Sequence, residues 1–445
     1  MAQRRRHTFC AIESAAHKKS VWRAKSLSRI FDGLNAHDAH CQSFCRQNCS
    51  AVHAMEVQRL RCIILYLKYK KRRRNREFWV HPILSDRLLK GQFHIKHSIL
   101  KQYPDKFFKF YKTSITTFNE LLLILSPALT HSDTTMRKCI GPEERLSVTL
   151  RYLGRGMSFV ELEEAYLIGA TTIRSIVEET CTAIWELCKS ECFPAFTVQR
   201  WQDIAKKFHD KTQFPNCLGA VDGKHIRLKM PPNSGSNYYN YKSYFSTVLM
   251  AVVDANYCFT FIDVGAYGKF SDSNIFKNST LEKGILDGKI PLPNKQKLPG
   301  DLNGQPMPFV FVGDEAFAIS SHVMRPFPDR HLSVQQRIFN YRLSRARRMV
   351  ECAFGIFSSK WRIFQKSLDV NMPLAIKIIK AGCILHNFVR KRDGICFEEA
   401  LYTCPFEDIS NIGVRGTDNG METRKYFANY FTSSMGSVSW QYNKV

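Results

Sequence analysis

Two short apolar runs, each closed by an aspartate beside glycine, constrain this chain more than any other feature. Cys217-Leu218-Gly219-Ala220-Val221 ends in Asp222-Gly223, and Pro308-Phe309-Val310-Phe311-Val312-Gly313 ends in Asp314. A strand that is apolar throughout is ordinarily central in a sheet. An acid at its end stands at the sheet rim, and adjacent parallel strands would bring two such acids close. Two close carboxylates repel unless they share a proton or hold a cation. Hard oxygen ligands suit Mg²⁺ or Mn²⁺. Two such ions, about 3.5–4 Å apart, can clamp both the attacking and the leaving oxygen of a phosphodiester.

A third ligand is expected from a helix that packs across that rim. Glu351 stands in YRLSRARRMVECAFGIFSSKWRIF, beside an apolar stripe of Val350, Phe354, Phe357 and Trp361. It therefore borders the buried face. Arg347 and Arg348 lie one turn before it. Taken alone, Glu351 is better explained by an ion pair within its helix, worth ~0.3–0.5 kcal/mol. Taken with two strand-end aspartates in order, it becomes the third ligand.

The surrounding pattern is α/β. Strand-like runs cover Leu218–Asp222, Phe245–Asp254, Phe259–Val264 and Phe309–Asp314, the middle pair joined by a turn at Asp254-Ala255-Asn256-Tyr257. Helices are expected from about Asp272 through SDSNIFKNSTLEKGIL, from about Gln335 to Trp361, and over Pro373–Arg392, with a loop over 287–308. This organisation predicts a catalytic domain over 214–395. Residues 77–213 read as helical, with periodic segments at Lys106–Ser126 and Pro142–Leu153. Two further helical stretches meet at Gly169, with small Ala165 in the first and Thr171 or Thr172 as N-cap of the second. Such a pair resembles a helix-turn-helix, which reads DNA, but it also serves plain packing. Residues 396–445 show little periodicity and are expected to be a poorly ordered tail.

Charge bears on the partner. The chain of 445 residues carries a formal charge of +26, and residues 1–76 alone hold 18 Lys/Arg against 4 Asp/Glu. A basic, poorly ordered leader of this kind meets a polyanion, nucleic acid first. It ends in KYKKRRRNR, Lys68 to Arg76, which suits a nuclear localisation signal or a phosphate-binding patch as well as a solvated charge run. No run approaches 18 apolar residues, so no membrane span is expected. No apolar segment follows the basic start, which argues against a secretory signal. Fifteen cysteines are too dilute for a disulfide scaffold and are expected to be reduced. His37, His40, Cys41, Cys45 and Cys49 cluster, but the C-x3-C-x3-C spacing lacks a second paired knuckle, and chance clustering is preferred to a zinc site.

Several long motifs now point one way. AVDGKHIRL, PPNSGSNYYNYKSYFSTVLMAVVDANYCF, SDSNIF, FVGDEAF and YRLSRARRMVECAFGIFSSKWRIF occur in that order. Together they resemble the catalytic domain of the PIF/Harbinger superfamily of transposases and their domesticated nuclease relatives. The resemblance runs over about residues 75–395, from EFWVHPI onward. It implies a ribonuclease H-like fold, a mixed sheet flanked by helices, preceded by a helical, helix-turn-helix-like domain. It places the family's DDE triad on Asp222, Asp314 and Glu351, with two divalent ions, Mg²⁺ or Mn²⁺, as cofactors. It further implies DNA ends and target DNA as substrate, a separate Myb/SANT-like partner, assembly as a dimer or larger complex on DNA, and a nuclear location. Cys352 stands where the family often has Asn, and GDEAF departs from the usual second motif; neither change removes a ligand.

Other residues carry open readings. Asp272 suits an N-cap, or else a supporting role near the ions. Glu315 suits an outer or surface position, Asp254 a turn and Asp263 a strand end. His225 and His386 suit satisfied structural histidines. Lys224, Arg227, Lys242, Arg345, Arg347, Arg348, Lys360 and Arg362 are placed for phosphate contacts. Tyr238, Tyr239, Tyr241 and Tyr244 fit such a surface or the core equally. The expected activity is metal-dependent cutting and joining of DNA. The alternative is a domesticated DNA-binding or scaffold protein that no longer cuts. A two-metal phosphatase suits the carboxylates but not the basic arm.

Overall fold

The computed structural model describes residues 59–66, 78, 80–135, 138–328, 331–394 and 417–444. The cysteine–histidine cluster and the run Lys68–Arg76 lie outside the described residues. The chain divides between Trp79 and Val80 into two units. In the first, residues 59–66 are helical. The second holds everything that follows.

Its helices begin where the sequence supplies caps. Four helices, α1 (Pro82–Ser85), α2 (Arg87–Lys90), α3 (Gln92–Leu100) and α4 (Pro104–Tyr111), lead into α5 (Ile115–Leu129). Lys112 in the left-handed region (φ 67°) stops α4, and Ser114 restarts the chain by accepting from Thr117 N at 3.1 Å. One helix expected over Lys106–Ser126 is therefore two. After α6 (Pro142–Arg155) comes the pair α7 (Phe159–Tyr166) and α8 (Ala170–Cys192). Ser158 and Glu161 form a reciprocal capping box at the start of α7. Gly169, not a threonine, is the N-cap of α8, so Thr171 and Thr172 lie inside its first turn. Helix α9 (Val198–Thr212) then delivers the chain to the sheet.

The sheet has five strands: β1 (Cys217–Arg227), β2 (Ser246–Val253), β3 (Phe259–Tyr267), β4 (Val310–Val312) and β5 (Val323–Met324). Their order is β3-β2-β1-β4-β5. The pairs β1/β2 and β2/β3 are antiparallel, while β1/β4 and β4/β5 are parallel. Every residue of β2 is buried. The β2–β3 turn forms as its residues suggest: Asp254 Oδ1 accepts from Asn256 N (2.8 Å) and Cys258 N (2.9 Å). Strand β5, two residues long, is too short to announce itself by periodicity. Ser279 caps a second helix, so the single helix expected after Asp272 is α10 (Asp272–Asn278) followed by α11 (Thr280–Leu286). Helix α12 (Val334–Lys360) opens on a Ser333–Gln336 capping box and crosses the sheet.

The expected boundary at 213/214 is not a boundary in space, because one core runs through both parts. Trp201 of α9 stacks on Phe196 and meets Phe311 of β4 edge-on. Helix α13 (Met372–Asp393) joins the layers through buried Asn387. Its side chain accepts from Phe259 N (2.9 Å) and donates to Phe259 O (2.7 Å) and Cys192 O (3.2 Å). Thus one amide satisfies the edge of β3 and the end of α8. By length and composition alone α13 could cross a membrane, but most of it is buried in this core.

The tail expected over 396–445 is in part ordered. Helix α14 (Asp418–Thr432) packs against α12. Phe427 stacks on Phe214, and Phe431 lies against Phe339. Buried Arg342 donates to Gln441 Oε1 at 3.0 Å and sits 4.4 Å from the Phe431 ring. Four aromatic rings spaced through distant sequence hold this helix, and no local period signals that.

Candidate functional site

Asp222 is not at a strand end. It lies in the middle of β1, paired with Ala251, and β1 continues through Gly223-Lys224-His225-Ile226-Arg227. Strand β4 does stop, and its last pair with β1 is Ala220↔Val312. Two residues beyond that pair stand Asp222 on one strand and Asp314 on the other. The two-residue side-chain period brings them to the same level of neighbouring parallel strands. Asp314 turns the chain out of the sheet: its Oδ1 accepts from Ala316 N (3.0 Å) and its carbonyl from Phe317 N (3.2 Å). Asp222 Oδ1 accepts from Gly223 N at 2.8 Å.

Glu351 arrives from α12, which packs on β1, β2 and β4. Arg347 Nη2 donates to its Oε1 at 3.2 Å. The intrahelical ion pair expected from the sequence thus exists, in a place where both partners are largely buried. It does not remove Glu351 from the carboxylate group, because Glu351 also feels Asp314.

Asp272 is the fourth acid. It is the first residue of α10, whose N-cap is Ser271, so it does not serve as that helix's cap. A Cβ on Gly223 would collide with Asp272 Oδ1, so the acid lies directly on the backbone beside Asp222. That oxygen is buried and accepts no hydrogen bond. A larger residue at position 223 would push it away. Asp272 lies 50 positions from Asp222 in a run that also reads as a helix start, so a capping role competed for it; the signals for the site were the SDSNIF motif and the glycine opposite.

The electrostatics follow from this crowding. Asp222 is held well above the usual carboxylate range by burial, then by Asp314 and Asp272, against the pull of Arg347. Burial and Asp314 push Asp272 up to about 7. Burial raises Glu351, Arg347 and Arg348 oppose it, and Asp314 raises it further. Asp272 sits where a positive charge is missing, and at Asp222 Arg347 does not offset burial and the two neighbouring acids.

Hard carboxylate donors, like charges turned on one another and a spare buried oxygen fit a divalent cation by chemistry. The spacing is looser than the chemistry. Among the described residues no three of His, Cys, Asp and Glu are gathered as a metal-holding cluster.

The neighbours divide into structural and surface groups. His386 Nε2 donates to Tyr257 O at 2.8 Å, and burial pushes it down to about 3. His225 is paired with Ser246 Oγ at 2.9 Å, and burial and Lys242 push it down to about 4. Both are satisfied structural histidines. Asp254 is the turn residue expected, whereas Asp263 lies within β3, opposite Met250, rather than at its end. Tyr238 packs on Tyr267, while Tyr241 is exposed and feels Asp272. Lys224 lies over Phe354, and Arg227 over Tyr244. Arg345 is taken up by Trp440, 4.2 Å from the ring centre, a contact that nothing in its own helix signals.

Residues 221–387 match the family model described as DDE superfamily endonuclease. The chain is 28% identical over 300 residues to a protein named ALP1-like from Arabidopsis thaliana, covering 64% of this chain and 71% of that one. It is 24% identical to Antagonist of like heterochromatin protein 1 from the same plant, over 63% and 72% of the two chains. It is 22% identical to HARBI1 of Rattus norvegicus, named as a candidate nuclease, over 57% and 69%. No solved structure matches the chain.

Proposed function

We propose, from the premise that this chain belongs to the Harbinger-related DDE superfamily endonucleases, that it cuts and joins DNA phosphodiester bonds at Asp222, Asp272, Asp314 and Glu351. One observation carries the reading: Asp272 lies directly on the backbone beside Asp222 with one buried oxygen unpartnered, and Asp222, Asp272 and Glu351, from separate elements, each carry the repulsion of Asp314. The spare oxygen alone does not set the site apart, since Glu144 Oε1 is likewise buried without a partner, but Glu144 has Arg87 beside it whereas Asp272 has Asp314. The strand order, with three antiparallel strands continued by two parallel ones, supports a ribonuclease H-like domain.

The four carboxylates would hold Mg²⁺ or Mn²⁺, as two ions. When bound, such ions lower the pKa of a water or of a DNA 3′-hydroxyl and stabilise the leaving oxygen. The chain's own groups do the rest. Gly223 keeps the backbone low enough for Asp272 to reach the centre. Arg347 holds Glu351 in place from one turn away. Lys224 and Arg348 offer positive charge to the phosphates on either side. Tyr241 and Lys242 line the approach beside Asp272. The α7–α8 pair serves as a DNA-facing element in this reading. A Myb/SANT-like partner, assembly as a dimer or larger complex on paired DNA ends, and a nuclear location belong to it as well.

The second reading is a DNA-binding or scaffold protein that does not cut. It is favoured by the loose spacing of the acids and by the chromatin-related name of one relative. A supercoiled-plasmid nicking assay separates the two. Cutting that needs Mg²⁺ or Mn²⁺ and disappears in Asp222→Asn is the expected result. Salt-sensitive DNA binding without cutting in either protein would overturn the enzyme reading in favour of the scaffold.

A further inference from the structure

One group of cations outside the carboxylate centre is gathered without an acid among them. Lys112, at the end of α4, lies with its chain against Gly154 of α6. The charges that act on its ammonium are Arg155, Arg362 and Arg151, all of its own sign. Burial and these three push it down to about 8. Arg151 is buried, its guanidinium 3.8 Å from the centre of the Phe110 ring, and its Nε has no hydrogen-bond acceptor. Arg155 and Arg362 are exposed. Helix α6 ends against the short turn Arg362–Gln365, since a Cβ on Gly156 would touch Arg362 O at 3.2 Å. Among the described residues, none of these four cations pairs with a carboxylate; the acid at the rim, Glu161, faces Lys366 instead.

Like charges drawn together repel, and a buried guanidinium N–H without an acceptor adds a desolvation cost. The arrangement is what an absent anion would reconcile. The last carbonyls of α4 and α6 lie nearby, but they are already met: Lys112 N donates to Phe108 O at 2.8 Å, Gly156 N to Tyr152 O at 2.9 Å, and Lys366 Nζ to Gly156 O at 3.0 Å. Helix-end capping therefore accounts for Lys366 and, through a 3.4 Å contact from Nη1 to Phe110 O, for one N–H group of Arg151, but not for Lys112, Arg155 and Arg362.

The position relative to the carboxylates says which anion. Arg362 is 11 positions beyond Glu351, along α12 and just past its end. At the helical rise of 1.5 Å per residue that is about 16 Å. The residues between on that side, Gly355, Ser358 and Ser359, are small and partly exposed. A B-form strand advances about 3.4 Å per base pair, so 16 Å corresponds to about five base pairs.

We propose that Lys112, Arg151, Arg155 and Arg362 form a second phosphate site, which grips the DNA backbone about five base pairs from the bond at the carboxylates. This rests on the DNA-cutting reading and adds to it where the duplex runs: along α12, over its small-residue face, to the junction with α6. The site contributes affinity and register, not chemistry, because phosphate contacts position DNA without reading sequence.

The test is the salt dependence of binding by the full chain to a random-sequence duplex of about 20 base pairs, long enough to reach both sites. Arg155→Ala/Arg362→Ala should reduce the slope of log affinity against log salt by about one to two. Arg155→Lys/Arg362→Lys, which keeps the charge, should restore most of it. Both residues are exposed, so the thermal midpoint should not move. A wild-type slope in the alanine variant would overturn this site while leaving the nuclease reading intact. Polyglutamate binding that is lost in the alanine variant, together with an unchanged salt slope for duplex, would assign the cluster to an acidic polypeptide and overturn it too. No DNA binding by the wild type at all would sink the site together with the reading it rests on.

Discussion

In the helical layer, Glu144 is buried with Arg87 Nη1 2.5 Å from its carboxylate and His94 behind it at 3.7 Å. Its neighbour Glu143 accepts from His97 at 2.9 Å and from Lys101 at 2.5 Å, and those hydrogen bonds hold it down at about 2. In the middle of β1 and at the start of α10, Asp222 and Asp272 are also enclosed, but their charged neighbours include other acids, and their carboxyl groups are pushed up instead. Glu143 on one side and Asp222 and Asp272 on the other are shifted in opposite directions, because the first is answered by cations within the chain and the others are not. Buried ion pairs are common structural fixtures. Buried acids facing acids need something from outside the chain.

Breaking the answered set should have the largest effect. Glu144→Ala leaves Arg87 buried without its partner and should cost about 3–5 kcal/mol of unfolding free energy in denaturant melts. The unanswered set should respond with the opposite sign. Asp272→Asn, measured in EDTA, should stabilise the chain by about 1–2 kcal/mol, since it removes a repelling carboxylate. The same variant should lose most of the stabilisation that Mn²⁺ confers on the wild type. If it is destabilised in EDTA by as much as Glu144→Ala, the two regions are not different in kind.

A third variant sharpens the comparison from the basic side. Lys360 is buried, and burial pushes its ammonium down to about 7, with Asp393 opposing. Its folded pKa is therefore below its unfolded value near 10.5. The folded state binds fewer protons between those values, so stability rises with pH across that window. The cost is fully present below about pH 7. Lys360→Met should accordingly be more stable than wild type by about 1–3 kcal/mol at pH 6, with the gain gone by about pH 10. Gly223→Ala should have the smallest effect on stability, under about 1 kcal/mol if Asp272 can swing aside. Its effect should fall on divalent-ion affinity, weakened about tenfold.

The aspartates at 222 and 314 stood out in the sequence because a charged acid closing an apolar run has no place in a core, and their closeness followed from parallel pairing alone. Strand β1 running five residues past Asp222 did not stand out. Lys224, His225 and Arg227 are poor strand signals, and only pairing with β2 carries them. Glu351 was ambiguous on its own helix, and the structure shows why: its ion pair with Arg347 and its place among the acids coexist. The place of Asp272 is set by Gly223, 49 positions away, and no local pattern carries it. Helix α14 carries no local signal, because its contacts, Phe214 and Phe339, are distant in sequence. What local pattern and spacing determine was visible; what a distant neighbour determines was not.

The central claim is that the four carboxylates hold a divalent cation. Titrating Mn²⁺ into the metal-free full chain, with free Mn²⁺ followed by electron paramagnetic resonance, tests it without relying on any activity. Saturable binding by the wild type, abolished in Asp222→Asn and weakened in Asp272→Asn, is the expected result. Equal binding by all three proteins, or none by the wild type, would contradict it.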